Sequence, residues 1–339
     1  MEISGSVEQN VQYCFPSNNV SCLKEIRSRS EIIILYSFFA ALSLCTVFLN
    51  LLVIISISHF KQLHTPTNLV ILSLAVADFV VGVFVMPIES VRLIDNCWYF
   101  GVTFCSLFPF IIYIVVSASL GNLVFISIDR YIAVRDPLRY HSKVTNRKTL
   151  FCIFLSWFWA VLYAVINLYD HMNHPVVYSS CYGHCIVVID YTLAIIDLII
   201  TFLSPCTAMI TLYIRIYITA RRQITLISTA TFNVYHSTEN ELTTAKKSGH
   251  KAAKTLGIVV FMYLICWIPY YISLLTESSV STSSLMFNVF SWFTYINSCI
   301  NPVIYALFYP WFKTSAQHIL TLKILNPSSS LKNLFPENQ

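Results

Sequence analysis

Seven long apolar stretches dominate the pattern of hydrophobic and polar positions along the chain. They occupy positions 32–59, 67–88, 102–128, 149–169, 190–214, 255–276 and 284–308. Each is long enough for an α-helix to cross a bilayer, which takes about 20 apolar residues. Polar linkers separate the stretches, and the longest lies near 222–250. The pattern predicts an all-α membrane protein in which a seven-transmembrane helix bundle at 32–308 follows a tail at 1–31 and precedes a last segment at 309–339.

The amino-acid composition also places the chain in a bilayer. Hydrophobic residues make up 56% of the 339 positions and charged residues 11%, whereas a soluble domain has about 45–50% and about 25%. The tail has no basic start followed by an apolar core and a cleavage site, so we expect the first transmembrane helix to act as an uncleaved signal. No internal repeat of the kind that builds many transporters stands out.

The distribution of lysine and arginine predicts the orientation. If the N-terminus lies outside, the cytoplasmic segments hold 17 of the 21 basic residues and the outer segments hold Lys24, Arg27, Arg29 and Arg92. Cytoplasmic loops of membrane proteins carry this excess of positive charge. The net charge of +5 then belongs to the inner face, and no nucleic-acid partner is needed to explain it. The tail is therefore expected to be extracellular.

The cysteines are consistent with this topology. Six of the eleven are predicted to lie outside: Cys14, Cys22, Cys97, Cys105, Cys181 and Cys185. An even set of cysteines in an oxidising compartment predicts disulfides, but six cysteines allow 15 connectivities. Asn19-Val20-Ser21 is a glycosylation sequon in the tail.

Two aspartates are the only charged residues predicted to lie inside the spans, away from the membrane faces. They are Asp78 and Asp197. An aspartate at the centre of a bilayer costs about 2.5–3.5 kcal/mol on insertion scales, and such residues usually face the bundle interior and serve a function. The alternative is a structural aspartate that only hydrogen-bonds a neighbouring helix. Glu89 and Asp190, at outer helix ends, are expected to be solvated.

The two aspartates predict different sites. Hydroxyl and amide groups occur at the depth of Asp78 and predict a small-cation site, possible for sodium, formed with Ser119, Asn297, Ser298 and Asn301. Asp197 lies nearer the outside, where a carboxylate with aromatic walls is suited to bind an ammonium by charge pairing and cation–π contact. The predicted ligand-binding residues are Asp197, Thr201, Ile112, Tyr113, Val116, Trp267, Tyr270, Tyr271, Trp292 and Tyr295.

Several ordered motifs resemble those of rhodopsin-like G-protein-coupled receptors. Asp129-Arg130-Tyr131 ends the third span, Cys266-Trp-Ile-Pro269 lies in the sixth and Asn301-Pro-Val-Ile-Tyr305 ends the seventh. Asn50, Asp78, Trp157 and Pro205 stand in the remaining spans. More narrowly, NSCINPVIYALFYPWF at 297–312 and KAAKTLGI at 251–258 resemble trace amine-associated receptors.

This resemblance implies an amine receptor of the olfactory type, in the cell membrane of olfactory sensory neurons. It implies coupling to a stimulatory heterotrimeric G protein, a rise in cyclic AMP and a short amphipathic eighth helix. Asp129, Arg130, Tyr131, Tyr213 and Tyr305 are the matching activation residues. It also implies the disulfides Cys105–Cys185, Cys14–Cys181 and Cys22–Cys97.

One position departs from the amine-receptor pattern. The aspartate usually found seven residues after the first cysteine of the third helix is replaced by Ile112, while Asp197 stands in the fifth span, eight residues before Pro205. This arrangement resembles a fish branch of the trace amine-associated receptors. We therefore expect Asp197 to replace the missing anchor and to hold the amine in an inverted pose.

Other functions remain to be distinguished. A receptor for a neutral or peptide ligand, with Asp197 structural, is the main alternative, and a cation transporter or channel is the second. A retinal receptor is excluded because 284–308 contains no lysine for a Schiff base. No nucleophile–base pair or metal cluster at usable spacing predicts an enzyme, and no cofactor is expected beyond an allosteric sodium ion at Asp78.

Overall fold

The computed structural model describes residues 12–173, 181–186, 188–189, 191–231, 239–276, 280–281 and 285–335. Its long helices are α1 Arg29–His59, α2 Pro66–Asp95, α3 Gly101–Arg135, α4 Asn146–Asn173, α5 at 191–231, α6 Glu239–Thr276, α7 Leu285–Phe308 and α8 Pro310–Leu320. Two short strands, β1 Val188–Ile189 and β2 Val280–Ser281, pair antiparallel between the outer ends of α5 and α6.

Local signals in the sequence explain where helices begin and end. Ser28 caps α1 in a capping box with Glu31, and Thr65 caps α2 ahead of Pro66 at its first turn. These side chains satisfy backbone N–H groups that have no partner inside the helix. α2 ends where Asn96 adopts a left-handed conformation with φ of 54°, which asparagine tolerates better than most residues.

The seven predicted spans correspond to α1–α7, which form the seven-transmembrane bundle. Six described helices are long and apolar enough to cross a membrane by composition alone. α7 has 24 residues but carries the buried polar residues Asn288, Asn297 and Asn301, which lower its hydropathy. It packs between α1 and α6, so its amides face the protein interior and not lipid.

Two of the spans contain a π-helical turn just before or around a proline. In α2 the turn covers Val81–Val85, ahead of Pro87, and in α5 it covers Leu198–Leu203, ahead of Pro205. Proline cannot donate a backbone hydrogen bond, and a π turn is a common local solution where the ladder is interrupted. Pro269 of α6 and Pro302 of α7 lie inside continuous helices.

The long polar linker predicted at 222–250 is largely helical, which corrects the sequence interpretation. α5 continues to Thr231 and α6 already begins at Glu239, and residues 232–238 lie outside the described part. A helix satisfies its own backbone hydrogen bonds, so both helices continue past the membrane face into water, and α6 does so even through Gly249. The hydropathy of the sequence therefore located the ends of the apolar spans but not the ends of the helices.

The tail folds against the outer end of the bundle through disulfides, two of which differ from the prediction. Cys105 pairs with Cys185 as the resemblance implies. The other pairs are Cys14–Cys97 and Cys22–Cys181, so the predicted partners of Cys14 and Cys22 are exchanged.

Backbone pairing in the tail explains the exchange. Cys22 N donates to the carbonyl of Tyr182, which places Cys22 beside Cys181. Trp98 N donates to the carbonyl of Gly183, and this brings the α2–α3 turn with Cys97 to the other side of the loop, where Cys14 lies. Asn19 is exposed between the two cysteines of the tail.

Candidate functional site

A cavity opens in the outer half of the bundle. Asp197 and Thr201 from α5 line it together with Ile112, Tyr113 and Val116 from α3, Trp267, Tyr270 and Tyr271 from α6, and Tyr295 from α7. The structure thus brings together the residues that the sequence predicted to bind a ligand, with one exception. Trp292 packs against Phe39 of α1, with ring centroids 4.1 Å apart, and lies outside the lining.

The position of Trp292 follows from helical geometry. Trp292 and Tyr295 lie three residues apart, and their rings touch with centroids at 5.7 Å. Tyr295 reaches the cavity, whereas Trp292 is turned toward the cluster that α1, α2 and α7 form. The sequence therefore predicted the depth of Trp292 correctly but placed its ring on the cavity side of α7, whereas the ring lies on the side that faces α1 and α2.

Asp197 is buried and held by hydrogen bonds from two other helices. The hydroxyl of Tyr163 in α4 donates to Oδ1 at 2.6 Å, and the hydroxyl of Tyr271 in α6 donates to Oδ2 at 3.0 Å. Thr201, one turn along α5, donates its hydroxyl to the carbonyl of Asp197 at 2.8 Å and also contacts the Tyr271 hydroxyl. Three helices therefore fix the orientation of this carboxylate.

No cationic side chain among the described residues pairs with Asp197. The acidic members of the ion pairs in the described part of the chain are Asp95, Glu25, Glu89, Asp129 and Asp136. An ionised carboxylate with 7% of the residue exposed is costly unless a charge or hydrogen bonds compensate it. The tyrosine hydroxyls supply hydrogen bonds but no charge, so the carboxylate has no positive partner among the described residues.

Aromatic rings stand next to this carboxylate. Trp267 stacks between Tyr263 and Tyr271, with ring centroids 5.4 and 6.0 Å away. Tyr270 meets Tyr271 edge-on at 5.0 Å, and Tyr113 of α3 lies 6.2 Å from Tyr163. The negative faces of such rings attract cations within about 6 Å of the centroid. Carboxylate and rings together favour a ligand with a positive group.

Sequence reasoning missed two parts of the cavity. Tyr163 was not predicted, because a single tyrosine in the apolar fourth span carries no pattern that separates it from ordinary packing. Glu89 was expected to be solvated, but its side chain is 2% exposed and ion-paired to Arg92 at 2.8 Å. The spacing of three residues on one helix was the signal that could have revealed this pair. Asp190 lies outside the described residues.

The cluster around Asp78 lies one layer deeper. Ser119 Oγ and Asn301 Nδ2 donate to the two carboxylate oxygens at 3.1 and 2.8 Å, and Asp78 is fully buried. Asn297 and Ser298 border a much smaller cavity together with Ser119. Carboxylate, hydroxyl and amide oxygens are the ligands of a hard cation. Asn301 presents its amide nitrogen to Asp78 and would therefore support the carboxylate without binding the ion.

At the inner end of α3, Arg130 is held in place by its neighbours. Its Nη2 lies 2.5 Å from Asp129 Oδ2 and 2.5 Å from Thr67 Oγ1 of α2. Asp129 also accepts from Tyr140 at 2.7 Å. Arg130 is thus bound within the bundle.

The other predicted activation residues surround this end of the bundle. The hydroxyl of Tyr131 accepts from Arg135 at 3.0 Å. The ring of Tyr213 packs against Gly257 of α6. A Cβ atom at position 257 would come within 3.0 Å of this ring, so the glycine permits the close contact. The buried hydroxyl of Tyr305 has no partner among the described side chains.

Comparisons with known proteins agree with this architecture. The model of the 7 transmembrane receptor (rhodopsin family) matches residues 49–305. The chain is 39% identical to trace amine-associated receptor 13c of Danio rerio over 99% of both chains. It is 40% identical to trace amine-associated receptor 6 of Pan troglodytes over the full length of both. It is also 40% identical to trace amine-associated receptor 8 of Homo sapiens, over 96% of this chain and 97% of that one.

Proposed function

The chain belongs to the rhodopsin family of seven-transmembrane receptors and, within it, to the trace amine-associated receptors, and on that premise we propose that it is an amine receptor whose ligand is anchored at Asp197. The family is a class of receptors and not of enzymes or transporters. The proposed signal is activation of a stimulatory G protein of the olfactory class, which raises cyclic AMP. The proposed location is the surface of olfactory sensory neurons.

The observation that carries the proposal is the uncompensated carboxylate in an aromatic cavity. Asp197 faces the cavity from α5, two tyrosine hydroxyls orient it, and none of the described cations neutralises it. An ammonium group in the cavity would supply the missing charge at hydrogen-bond distance, and charge-assisted hydrogen bonds of this kind are the strong ones. A neutral ligand would leave the cost of the buried charge unrelieved.

The position of Asp197 also determines the pose. Where amine receptors usually carry an aspartate on the third helix, Ile112 lines the cavity with an apolar side chain. The ammonium is therefore expected at α5, and the apolar part of the amine extends past Trp267 toward α3 and α7. This is the inverted pose that the sequence predicted.

Ligand binding at α5 can bias the packing of α5 against α6. Tyr271 of α6 donates to Asp197, and Tyr263 of α6 donates to the carbonyl of Thr201 at 2.9 Å. A ligand that competes for Asp197 changes this set of contacts, and a ligand shifts a conformational equilibrium by its difference in affinity for the two states. Release of Arg130 at the inner end would then expose the G-protein surface.

The test compares amines with isosteric neutral analogues in cells that display the receptor. The readout is a cyclic AMP reporter, for wild type and Asp197→Ala, with surface staining. We expect responses to amines only, and a loss of potency of about 30-fold or more in the variant, because removing one partner of a buried charge pair costs about 2–5 kcal/mol.

The matched control is Asp197→Glu, which keeps the charge and is expected to retain weak amine responses. Normal amine responses from well-displayed Asp197→Ala would show that Asp197 is structural. If wild type responds to the neutral analogues and not to amines, the receptor has a neutral ligand. A response only through another G-protein class would reject the proposed coupling and leave the anchor in place.

We also propose that Asp78, Ser119, Asn297 and Ser298 hold an allosteric sodium ion. Support comes from the burial of the carboxylate and from the oxygen atoms grouped around it. The expected outcome of Asp78→Asn is an amine response that no longer depends on sodium concentration, with the order of amine potencies unchanged. A sodium dependence equal to that of wild type would reject the site.

A further inference from the structure

The side of the cavity formed by α2 and α7 holds a second polar group. Glu89 and Arg92 of α2 both line the cavity, one helical turn apart, and their charged groups meet at 2.8 Å. Arg92 Nη2 also donates to Asn288 Oδ1 of α7 at 3.0 Å. Asp197 lies on α5, across the cavity from these helices. The ligand cavity thus has polar groups on two sides, and only one of them belongs to the proposed ammonium anchor.

The Glu89–Arg92 pair is incompletely satisfied. No described residue donates to Oε1 of Glu89, and none accepts from the Nε–H of Arg92. Both atoms are buried, and the Glu89 side chain is 2% exposed. Buried polar atoms in folded proteins nearly always have a partner. Two residues that line the ligand cavity therefore carry an acceptor and a donor that no described residue satisfies.

The charge of the pair selects the kind of group that completes it. The charges of Glu89 and Arg92 cancel, so the pair attracts neither an ammonium nor a carboxylate strongly. A second ammonium would be repelled by Arg92, and a carboxylate by Glu89. A neutral group that donates to Oε1 and accepts from Nε–H meets no such repulsion. Hydroxyl and carboxamide groups have both capacities.

We infer that the Glu89–Arg92 pair is a second ligand subsite, and that the preferred ligands are amines carrying a hydroxyl or carboxamide at the end remote from the ammonium. This inference rests on the proposed function, since it takes the ammonium to be bound at Asp197. Ser291 and Tyr295 of α7 line the same side and shape the space around the neutral group.

The test uses four straight-chain series that differ only at the far end: alkylamine, amino alcohol, diamine and amino carboxylate, each over a range of chain lengths. On wild type, the best amino alcohol is expected to be about tenfold more potent than the alkylamine of equal length, the gain of a hydrogen bond to a charged group. A diamine or amino carboxylate that exceeds the amino alcohol would overturn the neutral-group assignment.

Three variants separate ligand contact from structural support. Glu89→Leu/Arg92→Met removes both charges and leaves neither partner buried alone, which limits the cost to folding. It is expected to abolish the advantage of the amino alcohol and to preserve the alkylamine response. Arg92→Met leaves Glu89 negative and should raise the relative potency of diamines. Glu89→Gln leaves Arg92 positive and should favour amino carboxylates.

The outcomes distinguish failure of this inference from failure of the proposed function. Amine responses with no preference among the four far ends, or with preferences that the variants leave unchanged, would overturn the subsite and keep the anchor. Silence of a well-displayed wild type toward all four series would overturn the amine function and the subsite with it.

Discussion

Asp197 shows how much a single residue depends on its neighbours. The carboxylate is buried without a counter-charge among the described residues, and hydroxyls from two other helices orient it. Hydrogen bonds to a charged group contribute about 1.5–3 kcal/mol, which makes the tyrosines part of the ammonium site even where they do not touch the ligand. Tyr163 in particular brings α4 into a site that the sequence placed on α3, α5, α6 and α7.

Tyr163→Phe is expected to lower amine potency by about tenfold, because Oδ1 of Asp197 loses its hydrogen-bond donor and the ammonium meets a less well oriented carboxylate. The measurement is a dose–response curve in the cyclic AMP reporter assay. Tyr113→Phe is the matched control, since its ring contacts Tyr163 and lines the same cavity without donating to Asp197. Equal effects of the two variants would argue against a positioning role for the Tyr163 hydroxyl.

At the scale of helices, the π turn of α5 explains a tyrosine that the motifs do not predict. Tyr263 lies one helical turn before Trp267, and the two rings stack with centroids 5.4 Å apart. Its hydroxyl donates to the carbonyl of Thr201, which lies within the π turn Leu198–Leu203. A π turn leaves backbone carbonyls without their usual partner, and Tyr263 supplies one from α6.

Tyr263→Phe is expected to raise ligand-independent signalling severalfold. The hydrogen bond that this variant removes connects α5 to α6 in the conformation in which Asp129 holds Arg130. Losing a bond worth about 0.5–1.5 kcal/mol shifts a two-state population about two- to tenfold. The ligand-independent signalling is measured as basal cyclic AMP, normalised to surface staining. The control is Tyr217→Phe, because the exposed hydroxyl of Tyr217 accepts a hydrogen bond from Arg221 of the same helix. Unchanged or reduced basal signalling would contradict the proposed link.

Over the whole molecule, three disulfides join the tail, the α2–α3 turn and the second outer loop above the cavity. The pairs close separations of 83, 159 and 80 residues. A salt bridge of 3.0 Å between Lys24 and Asp95 adds to the attachment. There, the hydrogen bond and charge of Asp95 raise the pKa of Lys24 against the effect of burial, so the lysine stays charged. The described parts of the tail, the α2–α3 turn and the second outer loop are therefore cross-linked to one another.

Peptide mapping of the receptor under non-reducing conditions is expected to recover Cys14 linked to Cys97 and Cys22 linked to Cys181. The Cys105–Cys185 peptide serves as the internal control for complete oxidation. Recovery of Cys14 with Cys181 would reject the pairing in the structure. The double variant Cys22→Ser/Cys181→Ser is expected to lower thermal stability but to leave the other two bridges in place, because neither member of the removed bridge remains as a free thiol beside them.

The sequence by itself determined the seven spans, the topology and the family. Hydropathy and helix length located the spans, and the excess of basic residues inside predicted the orientation, because both depend on local composition and on the bilayer as solvent. The cost of a buried charge singled out Asp78 and Asp197. Most of the cavity lining followed, since residues at one depth of converging helices share a site.

Only the tertiary structure decided which side chains meet. The rotation of each helix turned Trp292 toward α1 and Tyr163 toward Asp197, and spacing along one helix does not specify that rotation. Burial of the Glu89–Arg92 pair depends on α7 packing against α2, and the exchanged disulfides depend on backbone pairing between the tail and the second outer loop. These are contacts between distant parts of the chain, and their energies depend on packing that no local pattern encodes.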